Sequence, residues 1–186
     1  DEELNVVDVE SGDVVRRTRI TGVGAISDPA WSPDGSRIAV SGNAGGVSDL
    51  YVLNLADSRV RQLTSDKYAQ VHPSWSPDAR SIAFATDQPV MDLDRLTYGD
   101  PRLGIIDVAS GTQRMLDLFP SGKHMNPQYA PDGASLYFLA DPQGFTDLFR
   151  VELASGQIHQ VTRLATGISG ISRLSPAMTV ASQSGR

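Results

Sequence analysis

Residues 31–41 read WSPDGSRIAVS, and the phrase returns as WSPDARSIAFA at 75–85 and YAPDGASLYFL at 129–139. Trp31 to Trp75 is 44 residues and Trp75 to Tyr129 is 54, with a worn fourth copy, LSPAMTVAS, opening at Leu174. Each copy is a β-hairpin in its chemistry. In Ser32-Pro33-Asp34-Gly35 proline presets φ, Asp suits the second corner and glycine accepts the positive φ that follows. The second copy has Ala79 where glycine belongs, which predicts a strained turn there.

A second phrase alternates with the first: ELNVVDVESGDVVRRT from Glu3, DLYVLNLADSRVRQLT from Asp49, RLGIIDVASGTQRML from Arg102 and DLFRVELASGQIHQVT from Asp147. Apolar residues recur with period two on either side of a short polar turn, again a hairpin. Each full repeat therefore supplies four strands: about 27–31, 37–41, 48–54 and 59–63, then 71–75, 81–85, 102–107 and 112–116, then 125–129, 135–139, 146–152 and 157–162. No stretch sustains a 3.6-residue period, so helix should be nearly absent. Four antiparallel strands recurring every 40 to 50 residues is the period of a β-propeller blade. The expected fold is all-β: blades at about 25–64, 69–118 and 123–163, with half-blades at 1–20 and 167–186, forming one domain. These make four blade equivalents, which either close a small ring or form part of a larger propeller.

The aromatic-Ser/Ala-Pro-Asp-Gly phrase, followed by Asp-Leu-Tyr/Phe and then Gln-Leu/Val-Thr, resembles the WD-like repeat of TolB-type β-propellers. Trp31–Thr64, Trp75–Leu116 and Tyr129–Thr162 all carry it. The resemblance implies a mostly bacterial, often periplasmic or cell-envelope scaffold that binds other proteins and is not itself an enzyme. The same kind of blade forms the propeller of prolyl-oligopeptidase-like peptidases, so the alternative is the propeller portion of a larger hydrolase. Such propellers usually have six or more blades. Complementary half-blades at the two ends make a monomeric closed ring a slightly favoured expectation over a fragment or a dimer.

Composition narrows the partners. Sixteen Lys and Arg against 22 Asp and Glu give a net charge of −6 in 186 residues, and no basic run overrules that sign. Nucleic acid is thus excluded as a partner, and protein or peptide is expected instead. Cysteine is absent, which removes disulfides, thiol nucleophiles and Cys-bound zinc. The longest apolar runs fall far short of the ~20 residues a membrane helix needs. No signal peptide is legible at the start, though an exported chain would have lost one.

Three residues before each motif aromatic stand Asp28, His72 and Asn126. In such blades the innermost strand begins there, beside the central channel. Three different polar groups at equivalent places form a candidate binding ring, against the plainer reading that they cap strand ends. His124, two residues before Asn126, is a further channel-lining or surface candidate that approaches His72 across blades. No His spacing typical of a metal site occurs, and no cofactor is expected. The insertion Asp87–Asp100 in blade two carries four carboxylates. It lacks the ordered calcium-loop pattern, so a loop contacting a partner is the better reading. Asp49 and Asp147 recur once per blade and read as structural ties, and Trp31, Trp75 and Tyr129 as wedges between blades. No G-x-S-x-G elbow exposes a serine nucleophile.

Overall fold

The computed structural model of the chain describes residues 2–92, 94–170 and 176–181. Among these residues every element is a strand. The N-terminal hairpin β1 (Glu3–Val7) and β2 (Val14–Arg19) forms a two-stranded sheet. Three four-stranded antiparallel sheets follow. They are β3 (Ala25–Trp31), β4 (Arg37–Ala44), β5 (Val47–Asn54) and β6 (Val60–Gln62); β7 (Gln70–Trp75), β8 (Ser81–Thr86), β9 (Arg102–Asp107) and β10 (Gln113–Met115); and β11 (His124–Tyr129), β12 (Ser135–Ala140), β13 (Asp147–Glu152) and β14 (Ile158–Gln160). Each sheet runs in sequence order from inner to outer strand. Of the expected C-terminal hairpin at about 170–182, residues 171–175 and 182 lie outside the described residues, and 176–181 form no strand.

The repeated turn explains the repeated Ser-Pro-Asp. Asp34 Oδ1 accepts from Ser32 Oγ at 2.6 Å and from the Ser36 amide at 3.1 Å, while Ser32 Oγ accepts from the Arg37 amide at 2.9 Å. Those bonds, the Ser32 hydroxyl first, pull the Asp34 carboxyl down to about 2. Ser76 and Asp78 repeat the arrangement. Gly35 and Gly133 hold the following left-handed position at φ 69°, and Ala79 holds it at 56°, the strain expected of a Cβ there.

Packing between blades sets their tilt. On one side of blade two Ile82, Phe84, Ile106 and Val108 meet Ala39, Leu50, Val52 and Trp75. On its other side Ala83, Ala85, Leu103 and Ile105 receive Leu136, Phe138, Phe149 and Val151 of blade three. Ala39, Ala83 and Ala85 leave room on the forward faces for Phe84 and Phe138 of the blades that follow, so successive sheets stack closely. Gly104 is part of this fit, because a Cβ there would lie 2.6 Å from Phe84 Cζ. The N-terminal hairpin joins the stack through Leu4 and Val6, packed against Ile38, Val40 and Tyr51 of blade one.

Asp49 and Asp147 are latches, holding the outermost strand to the third. Asp49 accepts from Thr64 Oγ1 at 3.0 Å and Gln62 Nε2 at 3.1 Å, and Thr64 Oγ1 accepts the Leu50 amide. Thr162, Gln160 and Leu148 repeat this with Asp147. One expectation is corrected. Trp75 is buried at 6% exposure, but Trp31 is 51% exposed and no wedge. Trp75 leans on the inner strand of the blade before it, donating Nε1–H to the Ala30 carbonyl at 3.0 Å. Trp31 has no such neighbour among the described residues, because only the β1–β2 hairpin precedes its blade.

Candidate functional site

Each inner strand breaks its ladder at the same point. The register shifts between Ser27 and Ala30, between Val71 and Ser74, and between Met125 and Gln128. At each bulge sits one candidate residue in the left-handed region: Asp28 at φ 54°, His72 at 55° and Asn126 at 52°. A proline follows each time, Pro29, Pro73 or Pro127, and supplies no amide to restore the ladder. Left-handed conformations at non-glycine residues cost on the order of 1–3 kcal/mol and concentrate at functional positions. Asn and Asp tolerate them best, and His72 is the unusual member.

The three residues line one cavity of about 750 Å3 along the inner strands, together with Trp31, Tyr129 and Gln128. Asp28 and His72 also line a smaller polar cavity of about 470 Å3 with Ser27, Asn43 and Ser48. Asp28 and Asn126 serve the scaffold as well. Asp28 Oδ2 accepts from the His72 amide at 3.3 Å and from Ser27 Oγ at 3.2 Å, and Asn126 Oδ1 accepts from the Met178 amide at 3.3 Å. The ring is therefore partly a set of ties between neighbouring segments, the plainer role that Asp and Asn play in turns. Capacity for a ligand remains: His72 Nδ1 is buried without a hydrogen-bond partner, and Trp31 is open. Burial holds the His72 imidazole below its ordinary pKa, against the opposing pull of Asp28. Burial also pushes the Tyr129 phenol up to about 12.

His124 stands elsewhere. It is fully buried, neither on the surface nor lining the channel cavity. Its ring stacks 5.9 Å from Phe119, and Nδ1 lies 2.9 Å from Arg102 Nη1, which also bonds the Gly122 carbonyl. Arg102 is a hydrogen donor only, so Nδ1 accepts and the proton sits on Nε2, which has no partner. Burial first, then the Arg102 charge, depresses His124 to about 4. Beside it Phe119, Phe145 and Phe149 line an apolar cavity of about 840 Å3. Sequence reasoning missed this cluster. Its signal is Arg102, which opens the third strand of blade two where blades one and three have Asp49 and Asp147.

In the blade-two loop Asp92 and Thr97 exchange backbone hydrogen bonds at 2.9 Å, and Asp92 Oδ1 accepts the Asp94 and Arg95 amides. The loop displays Leu96 and Tyr98 to solvent. Among the described residues no three His, Asp or Glu side chains gather to hold a metal. No helix there is long and apolar enough to cross a membrane.

Comparison with known proteins fits this geometry. Dipeptidyl-peptidase 5 of Porphyromonas gingivalis is 31% identical over 156 residues, covering 74% of this chain and 21% of the peptidase. The Tol-Pal system protein TolB of Francisella tularensis is 37% identical over 67 residues, 36% of this chain and 15% of that protein. The structure of a TolB-like protein from Agrobacterium tumefaciens superposes with a TM-score of 0.72 at 24% identity, over 89% of this chain and 56% of that one. The chain thus spans well under two thirds of each of these proteins. The family description "TolB beta propeller domain" matches residues 1–93, half of the sequence. With its three stacked blades and repeated inner-strand bulges, the chain belongs to the TolB β-propeller domain family.

Proposed function

We propose that the chain is a non-catalytic propeller that binds a protein or peptide along its channel face, with the Leu96–Tyr98 loop of blade two as a second contact. The observation that carries this reading is the shared cavity, into which three equivalent left-handed residues and the exposed Trp31 are gathered. Its roughly 750 Å3 lies in the range that ligand sites occupy. Open aromatic rings beside unspent polar groups are the usual anchors of protein recognition. A cell-envelope location is part of the proposal and draws on the TolB relatives. Peptides selected from a random displayed library on the immobilised chain, then retested on Trp31→Asp, provide the test. The expected result is binding weakened at least about tenfold, the effect of losing a central aromatic anchor. Equal binding to both proteins would put the site elsewhere.

The match to a dipeptidyl-peptidase favours a second reading, in which these blades are the propeller portion of a larger hydrolase. In that case the native gene continues into a hydrolase domain. Reading the genomic sequence on both sides of the segment encoding these residues decides it.

A further inference from the structure

Of all the residues lining the two connected cavities, Asp28 alone is a full charge of either sign. No Lys, Arg or ion pair offsets it: Asp28 takes part in none of the salt bridges among the described residues. Prolines 29, 33, 73, 77, 131 and 176 form much of the wall and bring no amide donor to it. His72 Nδ1 is buried and unpartnered beside the carboxylate. Trp31 lines the same cavity and is half exposed, and a cation over such a ring gains from its quadrupole. The whole chain carries −6, which draws cationic partners from a distance.

We propose that the channel recognises the ammonium group of a lysine side chain in an extended peptide, seated between the Asp28 carboxylate and the Trp31 ring. An ammonium is a compact point charge with three donors and no acceptor, matching a lining whose one formal charge is the Asp28 carboxylate. Arginine fits less well. Its planar fork calls for two free carboxylate oxygens, whereas Asp28 Oδ2 already accepts from Ser27 Oγ and the His72 amide. This inference rests on the channel-binding reading above and adds the chemistry of the ligand.

The test uses two capped pentapeptides, Ac-Ala-Pro-Lys-Pro-Ala-NH2 and its norleucine counterpart, titrated against the whole chain. The two tryptophan indole NMR signals are the readout. The expected result is movement of the Trp31 signal with both peptides, and affinity at least about fivefold higher for the lysine peptide, one partly exposed charge pair. Asp28→Asn should abolish that preference. The variant keeps an acceptor for the His72 amide and places at 28 the residue that blade three already holds at 126 in the same conformation. A second arm needs no mutation: raising NaCl from about 0.05 to about 0.5 M should weaken only the lysine peptide, because screening acts on the charge. Equal affinity of the two peptides overturns the lysine inference while leaving channel binding intact. So does a lysine preference that survives in Asp28→Asn or at high salt. If neither peptide moves the Trp31 signal, both the inference and the channel reading fall.

Discussion

Trp75 packs among Ala39, Ile82 and Phe84, donates Nε1–H to the Ala30 carbonyl at 3.0 Å, and has the Arg37 guanidinium 4.6 Å from its ring centre. Trp31 fills the same place in the repeat and has half its surface in solvent. We expect Trp75→Ala to cost roughly 3–5 kcal/mol, the price of a cavity left by a buried aromatic. Trp31→Ala should stay within about 1 kcal/mol, as surface substitutions do. Urea melts of both variants check this, and equal losses would mean that Trp31 is covered in solution. From sequence the two tryptophans are indistinguishable, because local patterning reads the residue and its turn. What separates them is the blade each one leans on, a contact that no local window contains. The strained Ala79 was legible for the opposite reason, since a Ser-Pro-Asp turn fixes the φ of the residue after it wherever it lies.

At the level of strands, period-two patterning and turn chemistry placed all twelve strands of the three blades within a few residues. The outermost strands are the shortest, three residues each at Val60–Gln62, Gln113–Met115 and Ile158–Gln160. Each pairs on one side with the third strand of its own sheet. Short outer strands of this kind offer little edge to a stray partner. The start of β11 is where the pattern misled. Phase analysis put His124 at the surface or in the channel, whereas the Arg102 substitution at the head of β9 draws it under Phe119. That burial has a consequence in pH. Folded His124 titrates near 4 against about 6.5 for an unperturbed histidine, so between those values the unfolded chain binds a proton that the folded chain refuses. Stability is therefore complete above about pH 6.5 and falls by roughly 3 kcal/mol as pH drops to about 4. Buried His72 adds to the same slope, and Asp34, held near 2, acts below it. Urea melts at intervals from pH 7 to 4.5 should show a shallower slope for His124→Leu than for the unaltered chain. An unchanged slope would assign the effect to other groups. Asp100 and Asp141, whose charges act on His124, are the first to examine.

For the whole molecule, the question is how the stack of sheets ends. Strand β1 pairs with β2 alone among the described residues, so its other edge is free of ladder bonds there. Of its expected partners, at about 170–182, residues 171–175 and 182 lie outside the described residues and 176–181 form no strand. The sequence left two answers open, a small closed ring or an arc of a larger one, because strand counting gives compatible ends and no curvature. Curvature comes from the interlocking of large and small residues between sheets. In the superposition 89% of this chain follows 56% of the longer Agrobacterium chain, which shows the shared propeller fold. Because the β1 edge is free among the described residues, we expect chain 1–186 in isolation to associate through β1, where Val7 is also exposed. Amide exchange decides this when run at several protein concentrations alongside size exclusion. Under association, the β1 amides that do not bond β2 exchange fast in dilute solution and slow as a dimer forms. Under closure they are protected in a monomer at every concentration, and deleting residues 2–19 then creates the edge and the oligomer. Protection in the dilute monomer would overturn the arc and restore the four-blade ring.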